Sequence, residues 1–251
     1  MLKEFFSWNR RVSEKIGLLF PHVRAHNLLD YSQVVADFLE SRPGATVLDV
    51  GAGKSCLFVE YLRDVTKVKI VGVDVSENEM LHNPDLAVRV VADVCQPLDF
   101  PNCSFDAIVS HSVLEHIDSQ TQFFAEATRL LKPGGAFIHW LPNKFAPFAL
   151  VNQVLPSSIS RQIIRYTWSE AAGYCGYIAR YDQCHPNAIS RLFEANGFIN
   201  SSIKLSYYSS SYFAFFLPFF LVSLLYESLI YRLKFDQAAS YLLVYAEKPK
   251  T

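Results

Sequence analysis

A chain of 251 residues with a formal net charge of −1 suits one α/β domain with embellishments and carries no electrostatic footprint for nucleic acid. Its five cysteines, at 56, 95, 103, 175 and 184, show no C-x-x-C pair and no zinc spacing, so a metal is not expected and a reducing, cytoplasmic setting is. The start, Met1-Leu-Lys-Glu-Phe-Phe-Ser-Trp-Asn-Arg-Arg, is charged and lacks the cleavable apolar core of a secretory signal. Residues 3–20 can form an amphipathic helix with Phe5, Phe6, Val12, Ile16 and Leu19 on one side, ended by Pro21. A second helix is expected from about His26 to Glu40, before the breaker Ser41-Arg-Pro-Gly. These helices, within residues 1–43, either cover a ligand cleft or pack on a sheet edge.

The rest of the chain is organised around the stretch Thr46-Val-Leu-Asp-Val-Gly-Ala-Gly-Lys-Ser55. Val47, Leu48 and Val50 suit a strand buried on both faces of a parallel sheet. Gly51 and Gly53 let backbone approach a ligand, and the run from Cys56 to Leu62 takes up helical spacing. A phosphate-cradling loop would need glycine where Leu48 stands, and a dinucleotide fingerprint would need it at Cys56. Asp-x-Gly-x-Gly, with the acid first, resembles the first motif of class I S-adenosylmethionine-dependent methyltransferases.

Val68 to Asp74 reads as a second buried strand ending in an acid. Asp74, 21 residues beyond Gly53, lies where a carboxylate can grip both hydroxyls of a ribose. Ser76 and Glu79 form a capping-box pattern. Ala87 to Ala92 is a third strand, and Asp93 after it could accept from an exocyclic amine. Asp49, Asp74 and Asp93 in register at one sheet edge make an acidic pocket. It suits a ligand with a sulfonium, an ammonium, a diol and an amine better than one with a pyrophosphate.

A fourth strand entered from a turn (Pro101 to Ser110) comes next, then Val113-Leu-Glu-His116-Ile and a helix from about Ser119 to Leu131. Leu131-Lys-Pro-Gly-Gly135 then leads into a fifth strand. Phe105-Asp-Ala-Ile-Val-Ser110, Leu-Glu-His-Ile and Leu-Leu-Lys-Pro-Gly-Gly look like the small-molecule methyltransferases of the ubiquinone-biosynthesis type. The resemblance covers about residues 44–141, returns at Ile189 to Phe198 and closes at Ala239 to Lys248. It implies an α/β, Rossmann-like, doubly wound seven-stranded sheet with an antiparallel last strand, plus a helical cap insertion. It also implies S-adenosyl-L-methionine as cofactor. Asp49, Gly51, Ala52 and Gly53 would line its methionine end, Asp74 and Val75 would hold the ribose, and Asp93 with Val94 the adenine. Ser110 and His111 would face the sulfonium. His116 would stand at the reacting centre, neutral near pH 7 and able to take a proton from a hydroxyl, or else would cap or pack the following helix. His139, inside an apolar strand, reads as a buried structural histidine.

One domain over 1–251 is expected: N-terminal helices (1–43), a cofactor-binding core (44–141), a substrate cap (142–186) and C-terminal strands (187–251). The cap contains Tyr166, Trp168, Tyr174, Tyr177, Arg180, Tyr181 and His185, whose rings suit an apolar or planar small molecule or the core of the cap itself. Tyr177, Arg180 and His185 are the substrate-contact candidates. Ser206 to Tyr226 has no charged residue, and an apolar helix over 212–231 is expected, kinked or divided at Pro218. Its apolar core of about fourteen residues is short of the ~20 needed to span a bilayer. Peripheral membrane contact, a homodimer and a lid over a greasy substrate stay open. Whole-chain charge is too slight for charge-driven attachment, so apolar burial would have to supply it. The two functions in view are methyl transfer to a hydrophobic or lipid-linked small molecule, and a catalytically silent cofactor-binding partner subunit.

Overall fold

A computed structural model describes residues 2–24, 27–155 and 177–250. Five strands rise in parallel where the apolar runs predict them: β1 (Thr46–Val50), β2 (Lys69–Asp74), β3 (Val88–Val91), β4 (Phe105–His111) and β5 (Leu131–Pro142). With β6 (Ile199–Ser206) and β7 (Tyr241–Glu247) they form one sheet of order β3-β2-β1-β4-β5-β7-β6. Gly134 N donates to Lys248 O at 2.9 Å while Asn143 N donates to Ser240 O at 2.8 Å, so β7 runs antiparallel to β5. The central strands are apolar on both faces because helices cover both. These helices include α3 (Leu28–Glu40), α4 (Glu77–Met80), α5 (Gln120–Leu130) and α7 (Pro186–Ala195).

By contact the chain divides into two compact units. Residues 27–141, 182–204 and 242–251 form the sheet unit, so α3 groups with the sheet. Residues 1–26, 142–181 and 205–241 form the other, which holds α1 (Leu2–Gly17), α2 (Pro21–Arg24), α6 (Pro147–Val154) and α8 (Leu217–Arg232). No helix among the described residues is long and apolar enough to cross a membrane.

Several local expectations change. Pro21 opens α2 instead of merely ending α1, which stops at Gly17. The side of α1 that packs is shifted from the one expected: Phe6 and Ile16 pack, but Phe5 and Leu19 are exposed and Asn9 and Ser13 are buried. Asn9 Oδ1 accepts the Leu217 N–H at 2.8 Å and Ser13 Oγ donates to Ala214 O at 3.4 Å, so polar capping outweighs ring burial there. Pro218 neither kinks nor splits α8 but stands in its first turn, after a separate 3₁₀ turn at Ser210–Phe213. Nor is α8 without polar character: Ser223 and Glu227 are buried on it. The helix expected after Gly53 is reduced to a 3₁₀ turn, Val59–Tyr61.

Candidate cofactor-binding site

The carboxyl ends of β1 and β2 meet around two glycines in the left-handed region, Gly51 at φ +67° and Gly53 at φ +46°. Gly51 N and Ala52 N both donate to Val73 O, at 2.7 and 3.3 Å, which ties the turn to β2. A Cβ on Gly51 would lie 2.4 Å from Val113 Cγ2, so glycine is required there for space as well as for φ. Asn83 Nδ2 donates to Ala52 O and Gly53 O at 3.0 Å each, and Asp85 Oδ2 accepts from Cys56 N at 2.9 Å. Asn83 and Asp85 thus hold the turn from outside it. Sequence reasoning missed them; the Asn83-Pro84-Asp85 turn pattern was the available signal.

Three of the predicted acids lie at this edge. Asp49 is almost fully buried, and burial lifts its carboxyl to about 7, against the lowering effect of a hydrogen bond from the Cys56 thiol. Asp85 and Asp74 push the same way as burial. The Tyr31 hydroxyl on α3 is held well above its ordinary value by burial and then by Asp49 and Cys56. Asp74 sits at the mouth: Oδ2 accepts from Gly53 N at 3.4 Å and Oδ1 from Ser76 N at 2.9 Å. That second bond replaces the capping box, since the Ser76 side chain caps nothing. Asp93 is exposed beyond β3 and accepts from Cys95 N at 2.9 Å, with Val94 buried beside it and Val75 exposed after β2.

Ser110 does not fit its expected place. It is fully buried, and its hydroxyl lies 2.5 Å from His139 Nδ1, its register partner on β5. His139 is the buried structural histidine expected, held neutral because burial drives its pKa well down. His111 is stacked on Trp140 at 4.8 Å and lies 6.1 Å from the Tyr31 ring. Trp140 Nε1 in turn donates to Asn27 Oδ1 at 2.7 Å, which anchors the start of α3.

His116 ends a 3₁₀ turn, Leu114–His116, with its side chain part-exposed and Nε2 3.9 Å from Glu115 Oε1. Glu115 was not anticipated. Burial raises its carboxyl to about 8, so it is mostly protonated at neutral pH. Gln120, fully buried, pins this turn by donating to Leu114 O at 2.8 Å and reaches Cys184 Sγ at 3.0 Å. His185, next to Cys184, thereby belongs to the same unit as the acids. Tyr177 and Arg180 are exposed and belong to the other unit, while Tyr166, Trp168 and Tyr174 lie outside the described residues.

Comparison with known proteins decides between the families that share such a turn. A family profile described as a methyltransferase domain matches residues 48–139, from inside β1 to β5. Over this stretch the chain is similar to methyltransferases. The chain is 34% identical over 100 residues to a 2-methyl-6-phytyl-1,4-hydroquinone methyltransferase of Synechocystis, covering 38% of this chain and 31% of that protein. It is 35% identical over 109 residues to a ubiquinone biosynthesis O-methyltransferase of Paramagnetospirillum magneticum, covering 41% and 43%. Against phosphoethanolamine N-methyltransferase 3 of Arabidopsis thaliana the identity is 30% over 113 residues, covering 43% and 23%. The matched methyltransferase stretch therefore spans less than half of each of these relatives. The methyltransferase fold itself extends further. Phosphoethanolamine N-methyltransferase 2 of Haemonchus contortus, solved with S-adenosyl-L-methionine, superposes with a TM-score of 0.54 at 17% identity over 88% of this chain and 53% of that one. A SAM-dependent methyltransferase of Archaeoglobus fulgidus gives 0.52 at 16% identity over 86% and 94%.

Proposed function

We propose that this chain is a cytoplasmic enzyme that transfers a methyl group from S-adenosylmethionine to a hydrophobic or lipid-linked small molecule by SN2 displacement. The observation that carries the reading is Asp49, Asp74 and Asp93 at the carboxyl ends of three adjacent strands, beside two positive-φ glycines. A cofactor with an ammonium and a sulfonium suits the buried Asp49, whose ionised form needs a positive partner. When bound, S-adenosylmethionine supplies an activated methyl group on sulfur. Asp49, Gly51, Ala52 and Gly53 would hold its methionine end, Asp74 and Val75 its ribose, Asp93 and Val94 its adenine, with His111 beside it. Orientation of cofactor and acceptor supplies much of the rate in such a displacement. Where the acceptor is a hydroxyl, His116 is the candidate base, with Tyr177, Arg180 and His185 as acceptor contacts.

The quinone-type names of two relatives support an apolar acceptor. Free Cys56, Cys95, Cys103 and Cys184 support a reducing compartment. Residues 212–231 would serve either peripheral membrane contact or a homodimer. Calorimetry against S-adenosylmethionine and NAD, followed by labelled-methyl transfer into an extract, tests the reading. Binding of S-adenosylmethionine alone, with label in solvent-extractable product, is expected. A preference for NAD sinks the cofactor reading, and label confined to water-soluble product sinks the acceptor class.

A further inference from the structure

Helix α8 is apolar on its exposed side as well as its buried one, where Phe220, Leu224 and Ile230 pack. Val222, Leu225, Leu229 and Leu233, spaced by three, four and four residues, form a stripe that is 68%, 65%, 56% and 68% exposed. Its polar residues Ser223 and Glu227 are buried. Glu227 is fully buried and accepts from Ser209 N at 2.9 Å, Ser209 Oγ at 2.8 Å, Ser210 Oγ at 2.9 Å and Ser223 Oγ at 3.2 Å. Rotating the helix to hide its apolar stripe would pull Glu227 away from the 209–210 turn and break the bonds made there, so the stripe is locked outward. A helix that borders water has the reverse arrangement.

Charge says what meets the stripe. Among the described residues, the unit that holds α8 (within 1–26, 142–181 and 205–241) contains nine Lys and Arg against four Asp and Glu, while the other unit has twelve against nineteen. The near-zero net charge of the whole chain conceals this separation. Taken by itself the unit, unlike the whole chain, has a basic excess that could aid attachment. Exposed Arg232 and Lys234 close the stripe at its C-terminal end. On α1, which packs beside α8 with Phe6 edge-on to Phe215 at 6.1 Å, the exposed residues Trp8, Arg11, Lys15 and Leu18 recur at helical spacing. Trp, cationic and apolar residues on one helix side are the composition of a helix lying in a bilayer interface.

We propose that this unit docks on the surface of an anionic lipid bilayer. The α8 stripe enters the acyl boundary, and Arg11, Lys15, Arg232 and Lys234 meet the headgroups. A second copy is a poorer occupant, because a symmetric contact through the same stripe brings both sets of basic residues together.

Flotation with phosphatidylcholine vesicles, with and without phosphatidylglycerol, tests the proposal. The protein is expected to float with the anionic vesicles and to remain below with the neutral ones. Combined Val222→Ser, Leu225→Ser and Leu229→Ser should abolish flotation. Arg11→Gln with Lys15→Gln should weaken partitioning by ~30-fold, the worth of two basic residues at an anionic surface. Equal flotation with both vesicle types overturns the headgroup assignment. Absence of flotation overturns docking, and light scattering then names the occupant: a concentration-dependent dimer means a second copy, a monomer means this chain's own residues. S-adenosylmethionine affinity, measured on the same samples, tests the catalytic reading separately.

Discussion

At the scale of single residues, His116 and Gly51 carry the sharpest expectations. His116 is part-exposed at the end of a short turn, beside the protonated Glu115, where it can reach an acceptor without first being unburied. If the acceptor is a hydroxyl, His116→Ala should lower turnover by ~10²–10⁴ while leaving cofactor affinity nearly unchanged. Turnover within a few-fold of wild type, measured at saturating cofactor, would make it a packing residue. Gly51 combines a positive φ with a Cβ position 2.4 Å from Val113 Cγ2, whereas the nearest atom to a Cβ on Gly53 is 3.7 Å away. Gly51→Ala should therefore cost roughly 2–4 kcal/mol, against about 1–2 for Gly53→Ala, which meets only the backbone penalty. Adding Val113→Ala to Gly51→Ala should recover part of the loss in urea unfolding. No recovery would place the strain elsewhere.

At the scale of elements, the glycine turn and α8 show the same physics: buried polar side chains decide what local pattern leaves open. Asn83 and Asp85 bond the backbone of the turn at Ala52, Gly53 and Cys56 and fix its shape from a distant segment. Glu227 gathers four donors from the 209–210 turn and α8, with His22 Nε2 3.6 Å from Glu227 Oε2. Glu227→Ala would leave these donors unsatisfied in an apolar surrounding, and a loss of about 3–5 kcal/mol is expected. Thermal unfolding of the variant checks it. A shift in Tm of only a degree or two would mean that water replaces the carboxylate and that the orientation of α8 is not locked by this network.

At the scale of the whole molecule, stability should depend on pH through buried acids. Asp49 and Glu115 titrate near 7 and 8 in the folded chain but near their ordinary 3.8 and 4.5 when unfolded, because burial penalises the charged form. Between those limits the folded chain binds more protons than the unfolded one, so stability falls as pH rises through the window and levels off above it. His139, held neutral by burial, works in the opposite sense below about 6.5, which leaves the interval above neutrality to the acids. Urea unfolding should show a loss of about 2–3 kcal/mol between roughly pH 6.5 and 8.5, most of it absent in Glu115→Gln. A flat profile in wild type would mean that Glu115 is solvated. Much of this architecture was legible beforehand. Buried apolar runs, strand-end acids and the Asp-x-Gly-x-Gly turn are short-range patterns, since strand burial and glycine geometry act over a few residues; from them came β1 to β5, Asp49, Asp74 and the methyltransferase resemblance. What the sequence left open is set by contacts between distant residues: His139 taking Ser110 inward from 29 positions away, Asn83 bracing Gly53, Glu227 turning α8 apolar side out, and basic residues from three separated segments gathering in one unit. A side chain's partner is chosen only when the backbone brings remote segments together, so only the tertiary structure could decide these.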